Sequence, residues 1–183
     1  MEKVTLIVVK VGGSLFDWPE LRPALRTWLG RFPSEAVLLI AGGGHSAEAV
    51  RTYDRIHNLG EEISHWLAIE SLAVTTSILE SFVDGLTNVS VLNVIDFCET
   101  DDALPHSWAV TSDSIAARVA EVRRASRLIL LKSVDVPDGT TWPEMSGAGI
   151  VDDYFPTAIL RLTCPVEIVN LRAVSGKSPS VLN

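Results

Sequence analysis

A lysine set into an apolar run is the first feature of this sequence that could do chemistry. Val8-Val9-Lys10-Val11 leads straight into Gly12-Gly13-Ser14, and a charge at the end of a segment apolar on both faces is costly unless something anionic meets it. A second glycine cluster, Gly42-Gly43-Gly44, follows Ala36–Ala41, and a third polar end, Lys132-Ser133-Val134-Asp135, follows Leu128-Ile129-Leu130-Leu131. Glycines let a backbone approach a ligand and expose its N–H groups. The helices that follow add the positive ends of their dipoles, so both glycine turns suit anionic oxygens, phosphate first among them. Neither turn fits G-x-G-x-x-G or G-x-x-x-x-G-K-[ST]. Asp113 could hold two lysines in position by pairing, or simply stabilise the first turn of a helix. The plainer alternatives at the other positions are a lysine that snorkels to solvent and a glycine cluster that only makes a turn. Lysines plus glycine amides, without a recognisable nucleophile or acid–base pair, suit phosphoryl transfer, where positioning and charge neutralisation do most of the work. Magnesium would arrive with the nucleotide.

The elements that must position these residues alternate. Val4–Val11 reads as a buried strand and Trp18–Leu29 as a helix with Pro19 in its first turn, followed by a strand over Ala36–Ala41. A helix over His45–His57 should face inward through Ala47, Val50 and Tyr53 or Asp54, and one from about Glu62 to Phe82 through Ile63, Trp66, Leu67, Val74, Ile78 and Phe82. A strand over Val89–Ile95 is expected, then an acidic loop over 96–110 with a short strand at Trp108-Ala109-Val110. Next comes a helix from Asp113 to about Arg124, capped by Thr111-Ser112, with Ile115, Val119 and Val122 inward. Leu128–Leu131 is a strand, 136–149 a long irregular loop, Tyr154–Arg161 a short helix, and Val166–Val169 a last strand before a polar tail from Ser175. The alternation predicts an α/β fold, a three-layer α/β/α sandwich on a mostly parallel sheet, with ligands beyond the C-terminal strand ends.

A chain of 183 residues makes a single domain, and 47 % hydrophobic against 21 % charged residues excludes general disorder. The formal charge of −8 disfavours nucleic acid and anionic membrane surfaces as partners, yet permits a few lysines focused into one pocket. Cys98 and Cys164 have no zinc or disulfide spacing, and the N-terminal apolar run is too short for a signal core or membrane span, so a cytoplasmic protein is expected.

In order, Val9-Lys10-Val11-Gly12-Gly13-Ser14, Gly42-Gly43-Gly44, Thr111-Ser112-Asp113-Ser114-Ile115-Ala116-Ala117 and Lys132-Ser133-Val134-Asp135 resemble the signature segments of the amino acid kinase superfamily, over about residues 4–170. The resemblance implies an ATP- and Mg2+-dependent small-molecule kinase. Lys10 would contact the transferred phosphoryl, and Gly12, Gly13 and Ser14 would lie against the phosphates. Gly42, Gly43, Gly44 and His45 would face the acceptor. Asp113 would organise the catalytic lysines, and Lys132, Ser133 and Asp135 would border the nucleotide. It also implies an acceptor half over 1–95, a shortened nucleotide half over 96–174, and a homodimer. Gly42-Gly43-Gly44-His45, His65-Trp66-Leu67-Ala68-Ile69 and Val151-Asp152-Asp153-Tyr154-Phe155-Pro156 look most like the small kinases of methanofuran- and tetrahydromethanopterin-linked pathways, which implies a phosphate or carboxylate acceptor such as an aminomethylfuran-type phosphate. The sequence departs from the family at Glu144-Met145-Ser146-Gly147-Ala148-Gly149, where a second lysine is usual. Lys132 or Lys177 would replace it, or the chain would be a nucleotide- or metabolite-binding sensor or subunit of the same fold that does not transfer. His45 could touch an acceptor phosphate or cap a helix. His65-Trp66 suits core or dimer packing, and Asp152-Asp153 could bind magnesium, pair with a substrate amine or stand as solvated helix caps.

Overall fold

Runs of Val, Leu and Ile pair into one sheet of order β3-β2-β1-β4-β5, built from β1 Leu6–Val11, β2 Ala36–Ala41, β3 Val89–Val91, β4 Arg127–Lys132 and β5 Val166–Asn170. The computed structural model describes residues 5–175, so the polar tail beyond Ser175 and Lys177 lie outside the described residues. Every strand pair is parallel, and each face therefore needs a helical cover. The helices are α1 Leu21–Leu29, α2 Gly44–His57, α3 Glu61–Val83, α4 Val94–Thr100, α5 Ser112–Val122, α6 Trp142–Gly147, α7 Phe155–Ala158 and α8 Leu171–Ser175.

The period-2 alternation of the strands divides the core in two. Val8, Ile40, Leu128 and Leu130 pack with Ile115, Ala116 and Val119 of α5, Phe97 of α4 and Phe155 of α7. Ile7, Val9, Val11, Leu39, Ile129 and Leu131 pack with Leu21, Leu25 and Trp28 of α1 and with Leu171 of α8. The expected three-layer α/β/α sandwich is present. Its sheet reverses strand order between β1 and β4, and that switch point is where ligands bind in open α/β sheets.

Several local expectations are corrected. Most of the expected inward face of α3 points outward: Ile63, Leu67, Val74 and Ile78 are exposed and only Trp66 and Phe82 of that face pack half-buried against the core, while Ser64, His65, Ile69, Leu72, Thr75, Thr76, Leu79 and Val83 are buried. α3 carries apolar residues on both stripes, so periodicity cannot choose between them. On the buried stripe the Thr75 hydroxyl satisfies itself by donating to the Leu72 carbonyl at 3.1 Å. α3 is the one described helix long and apolar enough to cross a membrane by length and composition. Its buried residues instead join the protein core, Ile69 and Leu72 on one side of the sheet and Leu79 and Val83 on the other.

α2 buries no residue completely and leaves Tyr53 exposed, because it rests on α3 rather than on the sheet. β3 ends at Val91, where Asn93 accepts a hydrogen bond from the Ile95 amide and starts α4 within the expected strand. No strand forms at 108–110, α6 lies within the expected loop, α1 begins two residues after Pro19, and Val122 is exposed.

Candidate active site

Strand parity brings the two lysines together. Lys10 shares the face of Val8, and Lys132 that of Leu128 and Leu130, so both point toward α5 from neighbouring strands at the switch point. Asp113 stands in the first turn of α5 to meet them. Its Oδ1 lies 2.9 Å from Lys10 Nζ, and Lys132 Nζ donates to Oδ1 at 2.9 Å and to Oδ2 at 2.8 Å. All three side chains are buried, with relative exposures of 4 % for Lys10, 4 % for Asp113 and 8 % for Lys132. Burial works to raise the Asp113 carboxyl, but the ammoniums of Lys10 and Lys132 outweigh it and hold the group below the ordinary carboxylate range. Burial, with repulsion from Lys10, pushes Lys132 down to about 8 despite the Asp113 carboxylate. The trio therefore holds two cations on one anion, with N–H donors of both lysines left for a further anion. Lys132 is thus a second lysine on Asp113, while 144–149 carries none.

The glycine turns lie against each other beside this trio. A Cβ on Gly13 would stand 2.5 Å from the Gly44 amide nitrogen, and one on Gly42 would collide with the Gly13 nitrogen, so the turns touch through bare backbone. The Gly12 amide, expected to face phosphate, instead donates to the Leu131 carbonyl at 2.8 Å and extends the β1–β4 ladder; the Gly42 amide likewise donates to the Val11 carbonyl at 2.8 Å. The amides of Gly13, Gly43 and Gly44 have no backbone acceptor among the described residues. Ser14 and Ser133 hydroxyls meet at 2.7 Å and tie the first turn to the end of β4. Asp135 accepts from Asn170 Nδ2 at 2.9 Å, which fixes that loop to the end of β5.

One cavity opens from the trio and a second adjoins it. A cleft of about 380 Å³ is lined by Lys10, Asp113, Lys132, Arg51, Trp108 and the 149–153 segment. A smaller pocket of about 60 Å³ lies between Gly43, His65, Ile69, Leu72, Trp108 and Ile115, and Arg51, Trp108 and Thr111 border both. Arg51 and Trp108 were not among the residues singled out from the sequence: an arginine on an amphipathic helix and a tryptophan in a loop carry no spacing signal. His65 lines the small pocket and stacks on His106 at 4.5 Å, and burial, with His106 beside it, lowers its pKa. His45 neither caps α2 nor lines either cavity; its Nε2 stands 2.8 Å from Asp17 Oδ1 at the surface.

Asp152 is neither a solvated cap nor a free metal ligand. Its Oδ2 accepts from the Thr111 amide and hydroxyl, both at 2.8 Å, and from the Ser114 amide at 3.0 Å, so a distant carboxylate closes the N-terminus of α5 in place of the Thr111 side chain. Burial is the main cause that raises its pKa, with Asp113 adding to it and the Ser114 hydroxyl opposing. Among the described residues no three His, Cys, Asp or Glu side chains gather as a metal cage. Asp113 and Asp152 are already engaged, and Asp153 is the remaining carboxylate on the cleft. Such a donor set fits magnesium carried on nucleotide phosphates rather than a resident ion.

Comparison with known proteins adds a relative and a fold. The chain is similar to the [5-(aminomethyl)furan-3-yl]methyl phosphate kinase of Methanocaldococcus jannaschii, with 26 % identity over 190 residues, 90 % of this chain and 88 % of that protein. No family model matches the chain. Uridylate kinase from Archaeoglobus fulgidus shares the fold at a TM-score of 0.65 and 17 % identity, over 95 % of this chain and 97 % of that one. Aspartate kinase from Synechocystis does so at 0.65 and 12 % identity, over 92 % of this chain and 38 % of that one. The chain thus shares its parallel α/β fold with uridylate and aspartate kinases and is similar in sequence to a curated small-molecule phosphate kinase.

Proposed function

We propose that this small-molecule kinase transfers the γ-phosphoryl of ATP to a phosphate oxygen of a small phosphorylated acceptor of the [5-(aminomethyl)furan-3-yl]methyl phosphate kind. The single observation that carries this reading is the pair of buried lysines on one buried carboxylate at the switch point, open to a cleft. A site with excess buried positive charge is complementary to the charge spread over a transferring phosphoryl group and its two neighbouring oxygens.

In this reading the acceptor oxygen forms a bond to the γ-phosphorus as the bond to the bridging β,γ-oxygen breaks, and ADP carries away that electron pair. Lys10 neutralises the transferring group and Lys132 the nucleotide phosphates. Asp113 touches neither but sets both ammoniums through its carboxylate. The amides of Gly13, Gly43 and Gly44 face the acceptor and transferred phosphates. The loop carrying Ser133 and Asp135 borders the nucleotide, with residues 1–95 forming the acceptor half and 96–174 the nucleotide half. Magnesium, held by the phosphates and by Asp153, supplies additional charge neutralisation when bound. A cytoplasmic homodimer belongs to the same reading, supported by the exposed stripe of Ile63, Leu67, Val74 and Ile78 on α3.

The test is ADP release with ATP, magnesium and [5-(aminomethyl)furan-3-yl]methyl phosphate, with phosphorus NMR on the product. A diphosphate should appear, and Lys10→Ala should lower kcat by about 100- to 1,000-fold, the usual cost of one preorganised donor. Asp113 keeps Lys132 as a partner in that variant, so the fold should survive. Full turnover by folded Lys10→Ala would sink the reading.

A further inference from the structure

Arg51 stands where the two cavities meet, and none of the motifs accounts for it. Its guanidinium lies 4.2 Å over the Trp108 ring, and its nearest carboxylate oxygen, Glu48 Oε2, is 3.9 Å from Nε, too far for a hydrogen bond. Trp108 is itself fixed, donating from Nε1 to Asp54 Oδ2 at 2.8 Å. Stacking on an aromatic face restrains the guanidinium plane while leaving its in-plane N–H fork open to a planar or tetrahedral anion. The side chain is 38 % exposed, so ligand binding would desolvate it further.

The surrounding charges choose the anion. Lys10, Lys132 and Arg51 line one cleft, Asp113 offsets one of these cations, Asp153 stands as a further carboxylate on the cleft, and Asp152 is turned to the N-terminus of α5. Three cationic donors on one cleft match a phosphate monoester, which carries about −1.5 to −2 near neutral pH and offers three acceptor oxygens, better than a carboxylate with two. No carboxylate lines the pocket of about 60 Å³ beyond Arg51, and Ile69, Leu72, Val110 and Ile115 make one wall of it apolar. We propose that Arg51, plated on Trp108, binds the acceptor's own phosphate at the neck between the cavities, with the acceptor's small flat organic group in the apolar pocket and its phosphate oxygen facing Lys10. This inference rests on the proposed acceptor class and names the residue that selects it.

Two measurements separate this inference from the function it deepens. Kinetics with [5-(aminomethyl)furan-3-yl]methyl phosphate should show the acceptor KM rising about 10- to 100-fold in Arg51→Met, with ATP KM within twofold, since charge-assisted hydrogen bonds to the acceptor alone are lost. Arg51→Lys, which keeps the charge but not the fork, should fall between. Independently of turnover, methyl phosphate titrated into the ATP-free protein should change tryptophan fluorescence, and that change should vanish in Trp108→Phe and in Arg51→Met. Acetate at equal concentration should do much less. A wild type that does not turn over, but whose Trp108 signal responds to methyl phosphate through Arg51, would remove the acceptor assignment and keep the phosphate site. An unchanged acceptor KM in folded Arg51→Met, a rise in ATP KM instead, or an equal response to acetate would overturn the inference.

Discussion

Raising the pH should switch the phosphoryl-transfer site off well before the protein unfolds. Burial, then the neighbouring Lys10, pushes Lys132 down to about 8, with Asp113 opposing. One unit above that value only about a tenth of the free enzyme keeps the charge at Lys132, so kcat/KM for ATP should fall about tenfold per pH unit above 8. Bound ATP adds negative charge, which holds the proton, so the limb in kcat should lie at higher pH. Stability moves the other way. The folded value lies below the ordinary 10.5, so between about 8 and 10.5 the unfolded chain binds more protons than the folded one, and raising pH through that window stabilises the fold. A shift of that size corresponds to about 3 kcal/mol. The loss of activity therefore cannot be charged to unfolding by this group. Asp113→Asn removes the attraction and leaves the repulsion from Lys10, which should move the limb below 8. Lys132→Arg should remove the limb up to about pH 10, because a guanidinium does not titrate there. Steady-state kinetics from pH 6 to 10, with melting curves at each pH, make the check. A flat wild-type kcat/KM through pH 10, or a limb that persists in active Lys132→Arg, would refute the assignment of charge to Lys132.

Gly13→Ala places a Cβ 2.5 Å from the Gly44 amide nitrogen, and overpacking of this kind costs about 1–3 kcal/mol, so the melting temperature should drop by roughly 2–10 °C with turnover also reduced. Asp152→Ala leaves the Thr111 and Ser114 amides at the head of α5 without their carboxylate, which should cost about 1–2 kcal/mol in a urea melt. His106 bridges Glu62 and Asp102, and the Glu62 hydrogen bond is the main cause that raises its pKa. Its contribution is thus present below about 6.5 and is lost as pH rises through the higher folded value. The stability difference between wild type and His106→Gln should accordingly be largest near pH 5.5 and shrink toward pH 8, and a difference that grows with pH would contradict the bridge.

The chemistry was legible in the sequence where residue type and local order suffice. A lysine ending an all-apolar strand, followed by glycines, states that a buried charge meets an anion at a turn, and Lys10 does lie in such a place. Lys132 follows β4 by the same logic, and Asp113 opens α5 where a carboxylate suits the helix dipole. Alternating strands and helices were enough to determine a parallel three-layer fold, because parallel strands need helical crossovers that cover both faces.

What tertiary structure alone decided was which alternatives met in space. Strand order placed β4 beside β1 across 116 intervening positions between Val11 and Leu128, so that two lysines of equal parity share Asp113. Packing also chose the buried stripe of α3, since two apolar stripes on one helix give periodicity nothing to prefer. Asp152 became the closure of α5, Gly12 lost its amide to Leu131, and Arg51 came to rest on Trp108, all through contacts between residues far apart in the chain. Local sequence carries propensity and charge, but such contacts exist only after the sheet order and helix rotations are set, and the geometry of this site consists of them.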